Sequence, residues 1–357
     1  MRRAPRTRPR HPLDRIRVAG WLRLASCAFF GHHRIMQRVQ LSLFFPLLIL
    51  GSFASGATFE RGAMIREATI YVSPDAKSAK LGLIARGFEV VVLETSRDWL
   101  HVTADLTEPR GGDDDDQEDV EGKTITGWIL GKGVIRATTP NGDRILYGEA
   151  IDSEDQASRR RGRKGAARDA TRLYGRVAEY FPSSPLAAEA LYRSADDQWQ
   201  IEKDQISSRP SARENEAYMR GQMDEHGFKE VIKKFPATKW ADLAAFHILD
   251  NKLCGDWQGA SKCPNKEADL YEKYVADRPQ SPSAAEALYN AAWRRSALIE
   301  IYKTEAEPKK SAEAKGAAAD LCRRILEKYP QSDYADRAQR LLYLVEQEIP
   351  TYGNAEE

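Results

Sequence analysis

Phe181-Pro182-Ser183-Ser184-Pro185-Leu186-Ala187-Ala188-Glu189-Ala190-Leu191-Tyr192 is the stretch whose recurrence decides the architecture. Its pattern returns around Pro236, Pro279 and Pro330, at intervals of 54, 43 and 51 residues. Two residues after each proline stand Ser184, Thr238, Ser281 and Ser332. Five after stand Ala187, Ala241, Ala284 and Ala335; eight after, Ala190, Ala244, Ala287 and Ala338. Nine before stand Leu173, Gly227, Leu270 and Leu321; five before, Val177, Val231, Tyr274 and Ile325. A recurrence of this kind marks a repeat protein.

Each column has a physical role. The upstream apolar positions fall on one face of a helix of period 3.6, as Leu321, Cys322, Ile325 and Leu326 do in the last copy. Proline ends that helix. The hydroxyl two residues on is placed to cap the next one by accepting from an unpaired backbone N–H. Pro185 and Pro282 suit a first helical position, where no N–H is needed. The alanines share a face and let the second helix approach the first closely. The predicted unit is a helix–turn–helix hairpin.

The series aromatic-Pro-x-Ser-x-x-Ala-x-x-Ala resembles tetratricopeptide (TPR) repeats of the kind carried by bacterial envelope proteins. The resemblance covers roughly residues 168–348 and departs from the family's 34-residue period, which places extra helix or loop between units. It implies a solenoid that binds protein partners.

The net charge of +1 misleads. Residues 1–57 hold ten arginines, no lysine and one acid; the remainder carries 44 basic and 52 acidic residues, a net of −8. A chain of that sign offers no electrostatic footprint for nucleic acid. From Met36 a basic start, an apolar run from Val39 to Phe53 and Ala54-Ser55-Gly56-Ala57 read as a secretory signal peptide with cleavage after Ala57. Met36 is then the expected translation start. A membrane anchor is the rival reading, but the run is short and contains Pro46. Leu24-Ala25-Ser26-Cys27 matches an acylation box in letters without the apolar run that should precede it.

Residues 60–136 read differently, as short β runs with turns about every ten residues. Lys80-Leu81-Gly82, Arg86-Gly87, Val90-Val91-Val92-Leu93, Trp99-Leu100-His101-Val102 and Thr126-Gly127-Trp128-Ile129 make this region similar to bacterial SH3 domains. That resemblance implies a small barrel, no catalysis, and binding of wall or peptide. Tyr71-Val72-Ser73-Pro74 stands where the family has a different strand. Tyr71, Trp99 and Trp128 are the aromatics available to a groove, although Trp99 and Trp128 are expected in the barrel core and His101 as a structural histidine.

Within this region residues 113–119 carry six carboxylates in seven positions. The run lacks the glycine and glutamate of an EF-hand loop, so a solvated hairpin tip is expected rather than a calcium site. At the junction, Ser153 with Gln156 has the spacing of a capping box opening the first long helix. Arg159-Arg160-Arg161-Gly162-Arg163-Lys164 is read as a solvated linker or helix surface answering Glu154 and Asp155, with an anionic lipid or acidic partner as the functional alternative.

Cys254 and Cys263 flank a polar connection and fit a disulfide in an oxidising compartment. Cys322 sits on an apolar helix face as an inert thiol. His226 and His247 lack zinc-ligand spacing, and no nucleophile, phosphate-loop or metalloprotease motif occurs. No enzyme, cofactor or metal is expected.

The expectation is a multidomain protein: a small all-β SH3-like barrel followed by an all-α TPR-like helical-hairpin solenoid. Its parts are a leader (1–57), the barrel (58–136), a linker and helix start (137–166), four hairpins (167–348) and a disordered tail (349–357). It would be a periplasmic, non-enzymatic envelope scaffold holding protein partners on the curved surface of the stacked hairpins, with Trp199, Trp240, Trp257 and Trp293 as candidate anchors, several of them expected in the hairpin core. The alternative is a peptidoglycan-binding module with the helices as spacer, and a third class is an enzyme with an unrecognised site. Membrane contact is left open.

Overall fold

Alternation decides the first half of the chain. Along β5 (Trp99–Asp105), Leu100, Val102 and Ala104 are buried while the residues between them are not, and β6 (Thr124–Leu130) buries Ile125, Gly127 and Ile129 in the same way. In the computed structural model, described for residues 59–105, 124–208, 223–254 and 257–353, these two strands lie in an antiparallel sheet of seven. The others are β1 (Glu60–Met64), β2 (Ala68–Tyr71), β3 (Lys80–Ile84), β4 (Glu89–Ser96) and β7 (Val134–Arg136). The order is β3-β2-β6-β5-β4-β1-β7, with β3 and β7 at the edges. One face collects Met64, Ile70, Ile84, Phe88, Val90 and Leu100 with their neighbours into a core.

Helices follow: α1 (Gly142–Ser158), α2 (Ala166–Tyr180), α3 (Ala187–Ser208), α4 (His226–Lys234), α5 (Lys239–His247), α6 (Lys262–Asp277), α7 (Ala284–Thr304), α8 (Pro308–Lys328) and α9 (Asp333–Glu346). A 3-10 turn, Ile248–Lys252, extends α5. The pairs α2/α3, α4/α5, α6/α7 and α8/α9 each pack together across a short bend, and each bend contains one of the four prolines. The bends are conformationally alike. Phe181, Phe235, Arg278 and Tyr329 have φ/ψ of −128/57, −130/53, −139/61 and −132/48. Each donates its N–H to the residue five before the proline, Val177, Val231, Tyr274 or Ile325. The two alanine columns are buried in all four pairs. Helices of 22 and 21 residues, α3 and α7, fill the long intervals between bends.

The cap column is less uniform than its letters. Thr238 Oγ1 donates to the Phe235 carbonyl at 2.8 Å and also accepts from the Ala241 N–H at 3.3 Å. Ser332 Oγ makes the matching donation to the Tyr329 carbonyl at 2.9 Å but caps nothing. Pro185 and Pro282 lie in the turns ahead of α3 and α7, because Leu186 and Ser283 already accept the first helical bonds.

Residues 142–158 are helix throughout, so the first long helix begins well before Ser153. Ser153 does not cap this helix: it is buried inside α1 and donates to the Glu149 carbonyl at 2.9 Å. Asn141, in the left-handed region at φ 53, precedes the helix instead. The sheet and the helices share packing. Ala63 and Ile135 join Leu146, Ala150, Leu173 and Val177 in one cluster. A Cβ on Gly87 would sit 2.6 Å from Arg172 Cβ, so only glycine admits α2 this closely. Around it Arg172 Nε donates to the Arg86 carbonyl at 3.1 Å, and Arg176 Nη1 pairs with Glu89 at 2.9 Å. The C-terminal residues expected to be disordered pack back as far as Tyr352, whose ring lies 5.4 Å from Trp257; residues 354–357 lie outside the described residues.

Candidate functional site

The face of β5 and β6 opposite the core carries a ladder of cross-strand pairs. Trp99 lies opposite Leu130, His101 opposite Trp128, and Thr103 opposite Thr126. The imidazole of His101 stacks on the Trp128 indole, centroids 4.9 Å apart and planes inclined by 23°. The two threonine hydroxyls are 2.9 Å apart and share a hydrogen bond. On the other side of β6, Tyr71 pairs with Trp128, and its ring meets Trp99 edge-on at 5.6 Å. Glu94 of β4 lies opposite His101 beyond a register shift.

Close strand approach makes this row possible. A Cβ on Gly127 would fall 2.5 Å from Ile70 Cγ2 and 2.7 Å from the Tyr71 carbonyl oxygen. Any side chain there would push β2 away and carry Tyr71 off Trp128. Tyr71, Trp99, His101 and Trp128 are all half-buried, and Leu130, opposite Trp99, is 44% exposed. Three flat rings and an imidazole, edged by Leu130 and two hydroxyls, can hold a ligand with apolar faces and polar edges.

The structure therefore brings together Tyr71, Trp99 and Trp128 and corrects the expectation that both tryptophans are core: the buried parity of β5 and β6 belongs to the residues beside them. It adds His101 and Leu130. His101 was legible as a face-mate of Trp99 two residues on, but Leu130 needed the strand register.

The four tryptophans expected as partner anchors on the helices are elsewhere. Trp199 is buried between Phe228 and His247, centroids 5.6 and 5.1 Å away. Trp240 is buried against Tyr192 at 5.3 Å. Trp257 is buried against the half-buried Trp293 at 5.1 Å. These rings fill the spaces between hairpins, where their area stabilises most, and so they are not a contact surface.

Cys254 and Cys263 are joined by a disulfide, Cα atoms 6.0 Å apart, beside Trp257 and Trp293. Next to it lies a buried ion pair that the sequence did not disclose. Arg294 Nε donates to Glu267 Oε2 at 2.7 Å, and Glu267 Oε1 accepts the Cys254 N–H at 2.7 Å. The guanidinium lies over the rings of Tyr271, Trp293 and Trp257 at 4.7, 5.6 and 5.8 Å. Cys322 is wholly buried, which pushes its thiol up to about 12. Among the described residues no cluster of three His, Cys, Asp or Glu side chains is arranged to hold a metal ion, and no helix is long and apolar enough to cross a membrane. The acidic run 113–119 and the leader lie outside the described residues.

No family model matches the chain, and no curated protein matches it. Among solved structures it is similar to a DHF58 filament, at 16% identity over 57% of this chain and 91% of that one, with a TM-score of 0.21. It is also similar to the de novo designed helical repeat protein DHR64, at 17% identity over 58% and 94%, TM-score 0.21. For a DHF79 filament the values are 17%, 56%, 95% and 0.19. Overlaps this low carry no argument about this chain.

Proposed function

We propose that the protein is an exported, non-enzymatic binding protein of the cell envelope. Its sheet, an SH3-like barrel module, holds peptidoglycan on the aromatic row, and its TPR-like hairpins carry that module. The observation behind this reading is the continuous half-buried row of Tyr71, Trp99, His101 and Trp128. Flat ring faces suit the apolar face of a sugar, and the Thr103 and Thr126 hydroxyls beside them suit its edge. The scaffold reading rests on the curved surface of the stacked hairpins, and three of its four candidate tryptophan anchors are buried. The aromatic row is therefore the better-supported contact.

Co-sedimentation with purified sacculi tests the proposal. The full chain should be retained, and Trp99→Ala with Trp128→Ala should lower retention about tenfold or more, as loss of central aromatic contacts does. Point variants are the right tool because the sheet shares its core with α1 and α2. Retention unchanged by the double substitution sinks the proposal, and so does release of wall fragments by the protein acting alone.

A further inference from the structure

The turn between α1 and α2 presents a set of cations that the fold does not use. Of the basic run, Arg159 pairs with Asp155 and Arg163 with Asp169. Glu154, the other expected counter-charge, is taken by the Tyr174 hydroxyl at 2.6 Å and by Arg193 at 3.1 Å. Arg160, Arg161 and Lys164 are left exposed, with no hydrogen bond or ion pair among the described residues. They lie in the turn just ahead of α2, where Gly165 provides no side-chain cap. The backbone N–H groups of that first turn add positive potential next to them in the chain.

We propose that this patch is the docking surface for the chain's own acidic segment, residues 113–119. Charge is the first reason: four aspartates in succession, then a glutamate and a further aspartate, in a chain that otherwise offers no comparable run. Position is the second. The segment belongs to the connection between Asp105 and Thr124, which are paired neighbours at one end of β5 and β6. Ala104 lies opposite Val90, so β5 ends level with Glu89 and heads toward Gly87. Gly87 is the point where the sheet touches α2 at Asp169 and Arg172.

Reach is the third reason. From Arg172 back to Ala166 the helix rises only about 9 Å. Eight extended residues from Asp105 to Asp113 span about 26 Å, and five from Asp119 to Thr124 about 16 Å. Asp113 and Asp116 are each eight residues from the nearer strand end, about 26 Å of extended chain on either side, so the four aspartates are the part of the run with the reach for the patch. A membrane surface fits less well, since three cations on one tight turn make a small footprint for adhesion.

Zero-length carbodiimide cross-linking of the full chain at low ionic strength, mapped by peptide mass after monomer is separated from oligomer, tests this. Lys164 should link to a carboxylate within residues 113–119 in the monomer. The link should weaken about fivefold in about 0.5 M salt. It should vanish when Asp113→Asn, Asp114→Asn, Asp115→Asn and Asp116→Asn are combined. Links from Lys123 to the same run show that the reagent has reached it. With those present, absence of the Lys164 link overturns the proposal, as does a link confined to the oligomer. So does wild-type binding to phosphatidylglycerol vesicles that Arg160→Ala, Arg161→Ala and Lys164→Ala together abolish.

Discussion

His101 lies flat against Trp128, ring centroids 4.9 Å apart, across two strands that share a full run of paired residues. The imidazole thus fixes the plane in which the indole faces the row. His101→Ala should cost about 0.5–1.5 kcal/mol, the worth of such a ring pair beyond its area, read from urea midpoints. Trp128 emission should shift to the red at the same time. An unchanged emission spectrum would mean that the stack does not hold the indole.

Glu267 is the buried partner of Arg294 and also the acceptor for the Cys254 N–H. Glu267→Ala leaves a guanidinium inside an aromatic cage and an amide without its acceptor. A loss of about 3–5 kcal/mol is expected, measurable by thermal or urea unfolding of the oxidised protein. A loss below about 1 kcal/mol would show that the pair contributes little there.

Asp197 on α3 has a buried Oδ2 with no hydrogen-bond partner among the described residues. Burial first, then Glu154 and Asp196, pushes its carboxyl up to about 8. A carboxyl raised on folding binds its proton more tightly in the native state than in the unfolded one. Native stability therefore falls as pH climbs from about 4, the unfolded value, through 8. Asp197→Asn should remove that slope and stabilise by about 1–3 kcal/mol at pH 8, with much less gain at pH 5. Equal differences at both pH values would rule out this titration.

Thr238 and Ser332 occupy the same column and do different work. Both donate to the carbonyl of the residue before the proline, but only Thr238 also accepts from a helix N–H, that of Ala241. Thr238→Ala should cost about 1 kcal/mol and Ser332→Ala no more than about 0.5 kcal/mol. Equal costs would show that the cap at Thr238 adds nothing.

Ser332 and Ser153 show where reading by letter fails. A hydroxyl at the cap spacing identifies a bend, where it donates to the carbonyl before the proline, but whether it also comes within reach of a helix N–H is a matter of fine geometry that the letters do not carry. Ser153 and Gln156 have capping-box spacing, yet the helix had already begun at Gly142. The tryptophans failed for a related reason. Trp199 and Trp240 sit on helices that look exposed in isolation, and become interior once the neighbouring hairpin lies against them; Trp257, in the connection ahead of α6, is covered by Trp293 and Tyr352.

Proline, the residue before it and the alanines after it were enough to place four bends and eight helices of the hairpins, because stopping a helix and admitting close approach are short-range effects. Strand alternation around Trp99 and Trp128 likewise marked out β5 and β6 from a few adjacent residues. Which face of those strands meets water, how β2 comes beside β6, and why Arg294 is buried all depend on contacts between segments 20 to 60 positions apart. Such contacts are set by packing of the whole chain, so no local pattern contains them.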